Sequence, residues 1–84
     1  MDTALHSPRA LGRALRDTRR GQGLNQGQAA ELAGIAQPTV SRIERGEGDV
    51  SLSTLLRLMA ALQLEFVLRD RAASDPGSPW ENGS

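Results

Sequence analysis

Apolar side chains recur at helical spacing in four stretches of this 84-residue chain, with glycine and polar residues between them. The first stretch begins at Ser7 and Pro8 and ends at Gly21 and Gly23. The second runs from about Gln26 to Ala33, and the third runs from near Gln37 to Gly46 and Gly48. The fourth begins after Ser51. Serine or proline is typical of a helix start, and glycine is typical of a helix end. The pattern therefore predicts four consecutive helices.

The spacing changes from helical to alternating after the fourth stretch. In the sequence LEFVLRD, one face consists of Leu64, Phe66 and Leu68, and the other of Glu65, Val67 and Arg69. A single strand cannot satisfy its backbone hydrogen bonds within one chain, so the same strand of a second copy is its simplest partner. We therefore predict a dimerisation strand at residues 64–70.

Composition limits the classes of function. The length suits one domain, and the lack of cysteine excludes disulfides, thiolate metal sites and thiol nucleophiles. The single histidine, His6, cannot form a histidine-rich metal site. No apolar run is long enough to span a bilayer, and the N-terminus lacks the apolar stretch of a signal peptide. We expect a cytoplasmic protein with no metal ion, no other cofactor and no membrane contact.

Charge is unevenly distributed although the net charge is zero. Residues 1–46 contain seven arginines and four acidic residues, a balance of +3, whereas residues 47–84 contain three arginines and six acidic residues, a balance of −3. The chain lacks the uniformly basic surface that indicates indiscriminate nucleic-acid binding. We expect the two halves to face different partners.

The second and third predicted helices contain a spaced set of small and branched residues. Two helices that cross steeply over a short turn need a small side chain at the crossing, glycine in the turn and branched residues facing back from the second helix. The residues at these positions are Ala30, Gly34, Val40 and Ile43. This pattern, opened by Gln26 and closed by SRIERG, resembles the Xre/Cro-type helix-turn-helix family over residues 8–62. The resemblance implies a mainly α, lambda-repressor-like domain of four to five helices, here with one C-terminal β-strand that pairs across a dimer.

Three polar side chains of the third helix suggest contact with DNA. Val40 and Ile43 are expected to face the core, which places Gln37, Ser41 and Arg42 on the opposite face. Glutamate and lysine would serve equally well on a merely solvated face. The glutamine, serine and arginine therefore favour recognition over solvation as their role.

The chemistry of the third helix predicts separate roles at a duplex. The Gln37 amide can pair with adenine N6 and N7, and the Arg42 guanidinium can bind guanine O6 and N7 or a phosphate. Ser41 is short enough for a base or a backbone contact, and Thr39, in the first turn, suits a phosphate. Pro38 can touch a thymine methyl group but cannot donate a hydrogen bond.

The positions of five further residues suggest their roles. Gln26 resembles the family residue that clamps a phosphate while it supports the first recognition glutamine. Arg19 and Glu44 match a family pair that forms a partly buried ion pair between the first helix and the end of the recognition helix. Arg45 is predicted to contact phosphate, with a solvated surface arginine as the alternative. Leu32 stands where the family usually has a polar residue, so it either packs locally or marks a contact surface.

The sequences beside the motif narrow the resemblance. SPRALGRALRDTRRGQGLNQ before it and LSTLLRLMAALQLEFVLRD behind it look like the HipB antitoxins, which partner HipA-like serine/threonine kinase toxins and dimerise through an intersubunit two-stranded sheet. The expected organisation is an N-terminal lead at residues 1–7, a helix-turn-helix DNA-binding domain at residues 8–63, the dimerisation strand at residues 64–70 and a flexible tail at residues 71–84. The only tryptophan, Trp80, lies in this tail and is either a toxin anchor or a stray residue.

These features predict a sequence-specific DNA-binding antitoxin at the nucleoid. It would be a homodimeric autorepressor that binds an inverted-repeat operator on double-stranded DNA and partners a HipA-like kinase toxin. The alternatives are a stand-alone Xre-family repressor without a toxin and a protein-interaction module that inhibits a kinase. An enzyme is not expected, because the sequence offers no nucleophile with a base, no phosphate loop and no paired acids.

Overall fold

The structure, a computed structural model, describes residues 5–70. Four helices follow one another in this region: α1 (Pro8–Gly21), α2 (Gln26–Ala33), α3 (Gln37–Arg45) and α4 (Leu52–Ala61). The predictions of a mainly helical class and of four helices are confirmed for the described part of the chain.

Local side chains account for where the helices begin. The Ser7 hydroxyl accepts a hydrogen bond from the Ala10 N–H at 3.0 Å, which caps α1. Asn25 and Gln28 cap α2 reciprocally, each side chain accepting a hydrogen bond from the backbone N–H of the other. The Ser51 hydroxyl caps α4 in the manner of Ser7. Each of these signals lies within four residues of the helix start.

A small apolar core holds the helices together. Its largest fully buried side chains are Leu15, Val40, Leu58 and Leu62. α1 packs on α3, and α2 packs on both α3 and α4. α2 buries only alanines in this core: Ala29, Ala30 and Ala33. Because α3 is packed against both α1 and α2, the core fixes its orientation.

α1 and α3 approach each other closely at Gly12. A Cβ atom at this position would overlap the Ile43 carbonyl oxygen and would lie 2.6 Å from the Glu44 carbonyl oxygen. Both atoms belong to the backbone of α3, so they cannot move away unless the whole helix shifts. Glycine is therefore required inside α1 although it is a poor helix former.

Residues 64–70 follow α4 without regular secondary structure. Gln63 has a left-handed backbone with φ 59°, and the Leu64 N–H donates to the Met59 carbonyl at 2.8 Å, which ends α4. No β-strand is present within residues 5–70, so the predicted strand is not formed by the single protomer. A strand needs a hydrogen-bonded neighbour, and the intersubunit sheet stays a prediction.

Candidate nucleic-acid interface

α3 has one buried side and one side that faces solvent. Val40 and Ile43 are buried in the core. Its exposed side chains include Gln37, Pro38 and Arg42, and its half-buried ones include Thr39 and Ser41. A helix held in this way presents polar side chains on a rigid support, as groove recognition requires.

Gly34 builds the turn between α2 and α3. Its backbone is left-handed, with φ 70° and ψ 34°, which favours glycine. The Ile35 N–H donates to the Ala30 carbonyl at 3.0 Å and closes α2. Ala36 then precedes α3 and supplies no side-chain cap. Pro38 has no N–H, and the Thr39 N–H donates to the Ala36 carbonyl at 3.0 Å, so the first turn of α3 offers few backbone donors to an anion.

Gln37 lies beside the first turn of α2. A Cβ atom added to Gly27 would lie 3.5 Å from the Gln37 Oε1 atom, which is ordinary van der Waals contact. The Gln37 side chain is nevertheless exposed. The structure thus brings Gln37 next to the helix that Gln26 opens and leaves its amide accessible to a base.

Arg42 lies along the loop that follows α3. Its Nη2 atom donates to the Asp49 carbonyl oxygen at 3.2 Å. Gly48 leaves room for this arrangement, because a Cβ atom there would lie 2.7 Å from Nη2. A hydrogen bond from a charged group contributes about 1.5–3 kcal/mol net, and this one is exposed, so water or another acceptor can replace the Asp49 carbonyl. Arg42 can therefore leave the loop at small cost when a stronger acceptor is present.

Arg45 is engaged by two neighbours. Its Nη1 atom donates to the Ser41 hydroxyl, and its Nε atom donates to Glu47 Oε1 at 3.0 Å. The side chains of Arg45 and Glu47 are 53% and 61% exposed, so this ion pair stabilises the fold little. The structure brings Ser41 and Arg45 together and adds Glu47, which sequence reasoning missed because it lies beyond the helix.

A buried ion pair ties the end of α3 to α1. Arg19 Nε donates to Glu44 Oε2 at 2.6 Å, and Arg19 Nη2 donates to Glu44 Oε1 at 3.0 Å. These are the two residues for which the family resemblance implies an ion pair. Arg19 Nη1 also donates to the Leu24 carbonyl at 2.8 Å, and Gln26 Nε2 donates to Glu44 Oε1 at 3.1 Å. One carboxylate therefore joins α1, α2 and α3.

Hydrogen bonding sets the protonation of this pair. Burial alone would raise the pKa of Glu44, but the hydrogen bonds from Arg19 and Gln26 outweigh it and hold the pKa below its ordinary value. The hydrogen bond to Glu44 raises the pKa of Arg19. Both groups are charged at neutral pH. The Gln26 amide has a second N–H, which leaves a donor for a phosphate.

The three apolar residues predicted for dimerisation are exposed beyond α4. Leu64, Phe66 and Leu68 are 36%, 47% and 97% exposed. Leu52 and Leu56 of α4 are also exposed. A contact with a second copy or with another protein would cover these exposed apolar side chains.

The remaining predictions concern residues away from α3. Leu32 on α2 is 63% exposed, so it does not pack into the core. Trp80 and the predicted tail at residues 71–84 lie outside the described residues. Within residues 5–70, no helix has the length and apolar character to cross a bilayer, and no group of three acidic, histidine or cysteine side chains is placed to hold a metal ion.

Comparison with known families decides the classification. The model of the helix-turn-helix family HTH_3 matches residues 15–68, a range that contains α2, α3 and α4 and the second half of α1. This chain belongs to the helix-turn-helix family. The Xre-type resemblance expected from the spacing in α2 and α3 is confirmed.

Individual relatives are similar over most of the chain. Antitoxin HipB of Escherichia coli O6:H1 is 31% identical over 72 residues, which are 86% of this chain and 77% of HipB. HipB of Escherichia coli K12 is 30% identical over 74 residues, which are 88% of this chain and 84% of the relative. The transcriptional regulator PuuR of Escherichia coli K12 is 35% identical over 72 residues, but these span only 37% of PuuR. The resemblance to HipB is confirmed.

Solved structures share the arrangement of the helices. A HipB variant in complex with the O2 20mer matches with a TM-score of 0.78 at 28% identity, over 84% of this chain and 99% of that chain. A chain of the HipA–HipB–O2–O3 complex matches with a TM-score of 0.77 at 28% identity, over 83% and 99%. The restriction-modification controller protein C.AhdI from Aeromonas hydrophila matches with a TM-score of 0.65 at 38% identity, over 69% and 88%. The fold is therefore HipB-like.

Proposed function

We propose that this protein is a HipB-like, sequence-specific DNA-binding antitoxin that represses its own operon and partners a HipA-like kinase toxin. One observation carries the proposal: α3 buries Val40 and Ile43 against the core while Gln37 and Arg42 are exposed. The similarity to HipB, which has been solved in complex with the O2 20mer, supports it.

α3 reads base edges in the major groove. The Gln37 amide accepts from adenine N6 and donates to adenine N7, and Pro38 contacts a thymine methyl group. Arg42 exchanges the Asp49 carbonyl for guanine O6 and N7 or for a phosphate. Each bidentate pair discriminates against a wrong base by about 1–3 kcal/mol. Recognition therefore depends mainly on two side chains, Gln37 and Arg42.

The flanks of α3 bind the phosphate backbone. Thr39 lies in the first turn of the helix, and Gln26, whose amide donates to Glu44, keeps a second N–H for a phosphate. Ser41 and Arg45 lie on the same side of α3 as Gln26 and add donors there. Each phosphate that an arginine neutralises releases counterions, which makes the affinity depend on salt. Because residues 1–46 have a net charge of only +3, we expect a modest affinity for nonspecific DNA. We also expect DNA binding to depend only weakly on salt concentration.

A homodimer reads the operator. Pairing of residues 64–70 with the same segment of a second copy would satisfy its backbone hydrogen bonds and cover Leu64, Phe66 and Leu68. A two-fold dimer places its two copies of α3 about 34 Å apart, one duplex turn. This spacing predicts an inverted-repeat operator.

The toxin binds away from α3. Residues 47–84 contain six acidic residues and three arginines, which suits a basic surface on the partner. Similarity to a chain of a complex that contains both HipA and HipB supports a HipA-like partner. Trp80 is the proposed anchor of the tail in that partner.

Footprinting of the promoter tests the proposal. Native protein is expected to protect two half-sites about one duplex turn apart, whereas the double variant Gln37→Ala/Arg42→Ala is expected to lose protection and still copurify with the neighbouring gene product. Arg57→Ala is the matched control, because it removes an exposed arginine from α4. Native protein without sequence preference would overturn the DNA-binding proposal and favour a protein-interaction module.

A stand-alone repressor is the second candidate. The similarity to the transcriptional regulator PuuR favours it. Copurification separates the two candidates: a kinase-like protein that is encoded nearby and remains bound supports the antitoxin. Operator protection without such a partner supports the stand-alone repressor.

A further inference from the structure

A shallow cavity of about 240 Å³ opens beside α3. Four of its lining residues are arginines: Arg16, Arg19, Arg20 and Arg45. Gln26, Ser41 and Glu44 complete the lining. The cavity therefore lies where the end of α1, the start of α2 and the second half of α3 meet.

The cavity is strongly positive. Its lining holds four guanidinium groups and one carboxylate, a balance of +3. Glu44 offsets only part of this charge, because one carboxylate is shared between Arg19, which donates to both of its oxygens, and the nearby Arg16. Arg45 is partly offset by Glu47, which lies outside the lining. An anion that enters the cavity meets donors on several sides.

Two of the arginines in the lining, Arg16 and Arg20, form no close polar contact within the described residues. Neither Arg16 nor Arg20 makes a side-chain hydrogen bond or an ion pair with any residue in the described range 5–70. Both side chains are exposed. They are therefore available to a ligand without the loss of a hydrogen bond or an ion pair, although Arg16 lies near enough to Glu44 to attract its carboxylate.

α1 concentrates its arginines on one side. The exposed arginines follow each other at i, i+4, i+7 and i+11: Arg9, Arg13, Arg16 and Arg20. Residues at this spacing share one side of a helix. The last two line the cavity beside α3, so the basic surface extends from the recognition helix onto α1.

We propose that this cavity binds a backbone phosphate of the DNA that flanks the bases read by α3, with Arg16 and Arg20 as its donors from α1. The inference rests on the proposed DNA binding. Guanidinium groups match phosphate oxygens in geometry and charge. Ser41 and Arg45 line the same cavity and belong to the helix that enters the groove, which places the adjoining DNA strand at the cavity mouth. A free phosphate anion has the same chemistry, and the experiment separates the two sources.

The salt dependence of operator binding is the test. A plot of the logarithm of the binding constant against the logarithm of the salt concentration has a negative slope. Loss of one phosphate contact per protomer makes this slope shallower by about 1.8 in a dimer. We expect this shallower slope for the double variant Arg16→Ala/Arg20→Ala. Its affinity should fall by the same factor for operator DNA and for unrelated DNA. Arg57→Ala, the matched control, is expected to keep the native slope. Thermal unfolding verifies that each variant is folded.

Inorganic phosphate separates the sources. For a DNA backbone site, added phosphate weakens operator binding no more than chloride of equal ionic strength. A free-anion site would instead raise the melting temperature of the native protein with phosphate and not with chloride, while the slope of the double variant stays native, and this result overturns the backbone assignment.

Other results are equally decisive. An unchanged slope with no effect of phosphate overturns the cavity site and leaves the proposed function intact, provided that the footprint persists. If native protein binds no DNA in the footprinting assay, the proposed function and this inference both fail.

Discussion

Arg19 Nε and Glu44 Oε2 lie 2.6 Å apart, with side chains that are only 8% and 4% exposed. The pair joins the last turns of α1 and α3, and Gln26 of α2 adds a hydrogen bond to the same carboxylate. The pair therefore stabilises the orientation of α3 that presents Gln37 and Arg42 to solvent. Changes in this pair are expected to affect the stability of the domain before they affect its contacts with DNA.

Neutralising Glu44 tests how much the buried pair contributes. Glu44→Gln leaves the Arg19 guanidinium buried without a counter-charge, and breaking a buried ion pair in this way costs about 3–5 kcal/mol. We expect urea denaturation to show a fall of about 3 kcal/mol in the free energy of unfolding. Glu47→Gln makes the same change in the exposed pair with Arg45 and is expected to cost less than about 1 kcal/mol. Equal losses in the two variants would contradict a stabilising role for burial.

The stability of the domain is expected to fall in acid. The pKa of Glu44 is lower in the folded than in the unfolded chain, because Arg19 and Gln26 donate hydrogen bonds to its carboxylate. Its stabilising contribution is therefore present above the unfolded pKa and lost as the pH falls through the folded one. Urea denaturation between about pH 7 and pH 3 should show this loss in native protein. In Glu44→Gln the free energy of unfolding should depend less on pH. If it changed with pH as much as in native protein, the loss in acid would not come from Glu44.

Substitution of Gly12 is expected to force α1 away from α3. In Gly12→Ala the new methyl group meets the backbone oxygens of Ile43 and Glu44, and overpacking of this kind costs about 1–3 kcal/mol. Gly21→Ala is the control within the same helix, because a Cβ atom there meets nothing within 4 Å. Better helix propensity should make that control neutral or more stable by up to about 1 kcal/mol. Thermal unfolding should show a loss of stability for Gly12→Ala and none for Gly21→Ala, and equal effects would refute the close approach at Gly12.

The helices could be predicted because the signals that bound them are local. Gly34 and Gly46 end α2 and α3 in left-handed conformations that favour glycine. Ser7 and Ser51 cap the helices that follow them. Each signal acts within a few residues of the boundary that it sets, so sequence spacing is sufficient to find it.

Contacts between distant segments could not be predicted in this way. The role of Gly12 depends on the approach of the α3 backbone, and its only sequence signal is a glycine inside a helix. The Asp49 carbonyl that holds Arg42 is a backbone acceptor, which every residue type provides. The pairing predicted for residues 64–70 depends on a second copy, so a single protomer does not test it.

Glu47 is expected to restrain DNA binding by Arg45. Its Oε1 atom accepts from Arg45 Nε at 3.0 Å, so it competes with phosphate for that guanidinium and adds a negative charge near the backbone. Exposed charge pairs are worth about 0.2–1 kcal/mol, which predicts binding about 1.4- to fivefold tighter per half-site for Glu47→Gln at low salt. The gain should shrink as added salt screens the charges. Glu31→Gln on α2 is the matched control, since it changes the net charge equally at another exposed site. Operator affinity can be measured by fluorescence anisotropy. If Glu47→Gln and Glu31→Gln tightened binding by the same factor, Glu47 would not restrain Arg45.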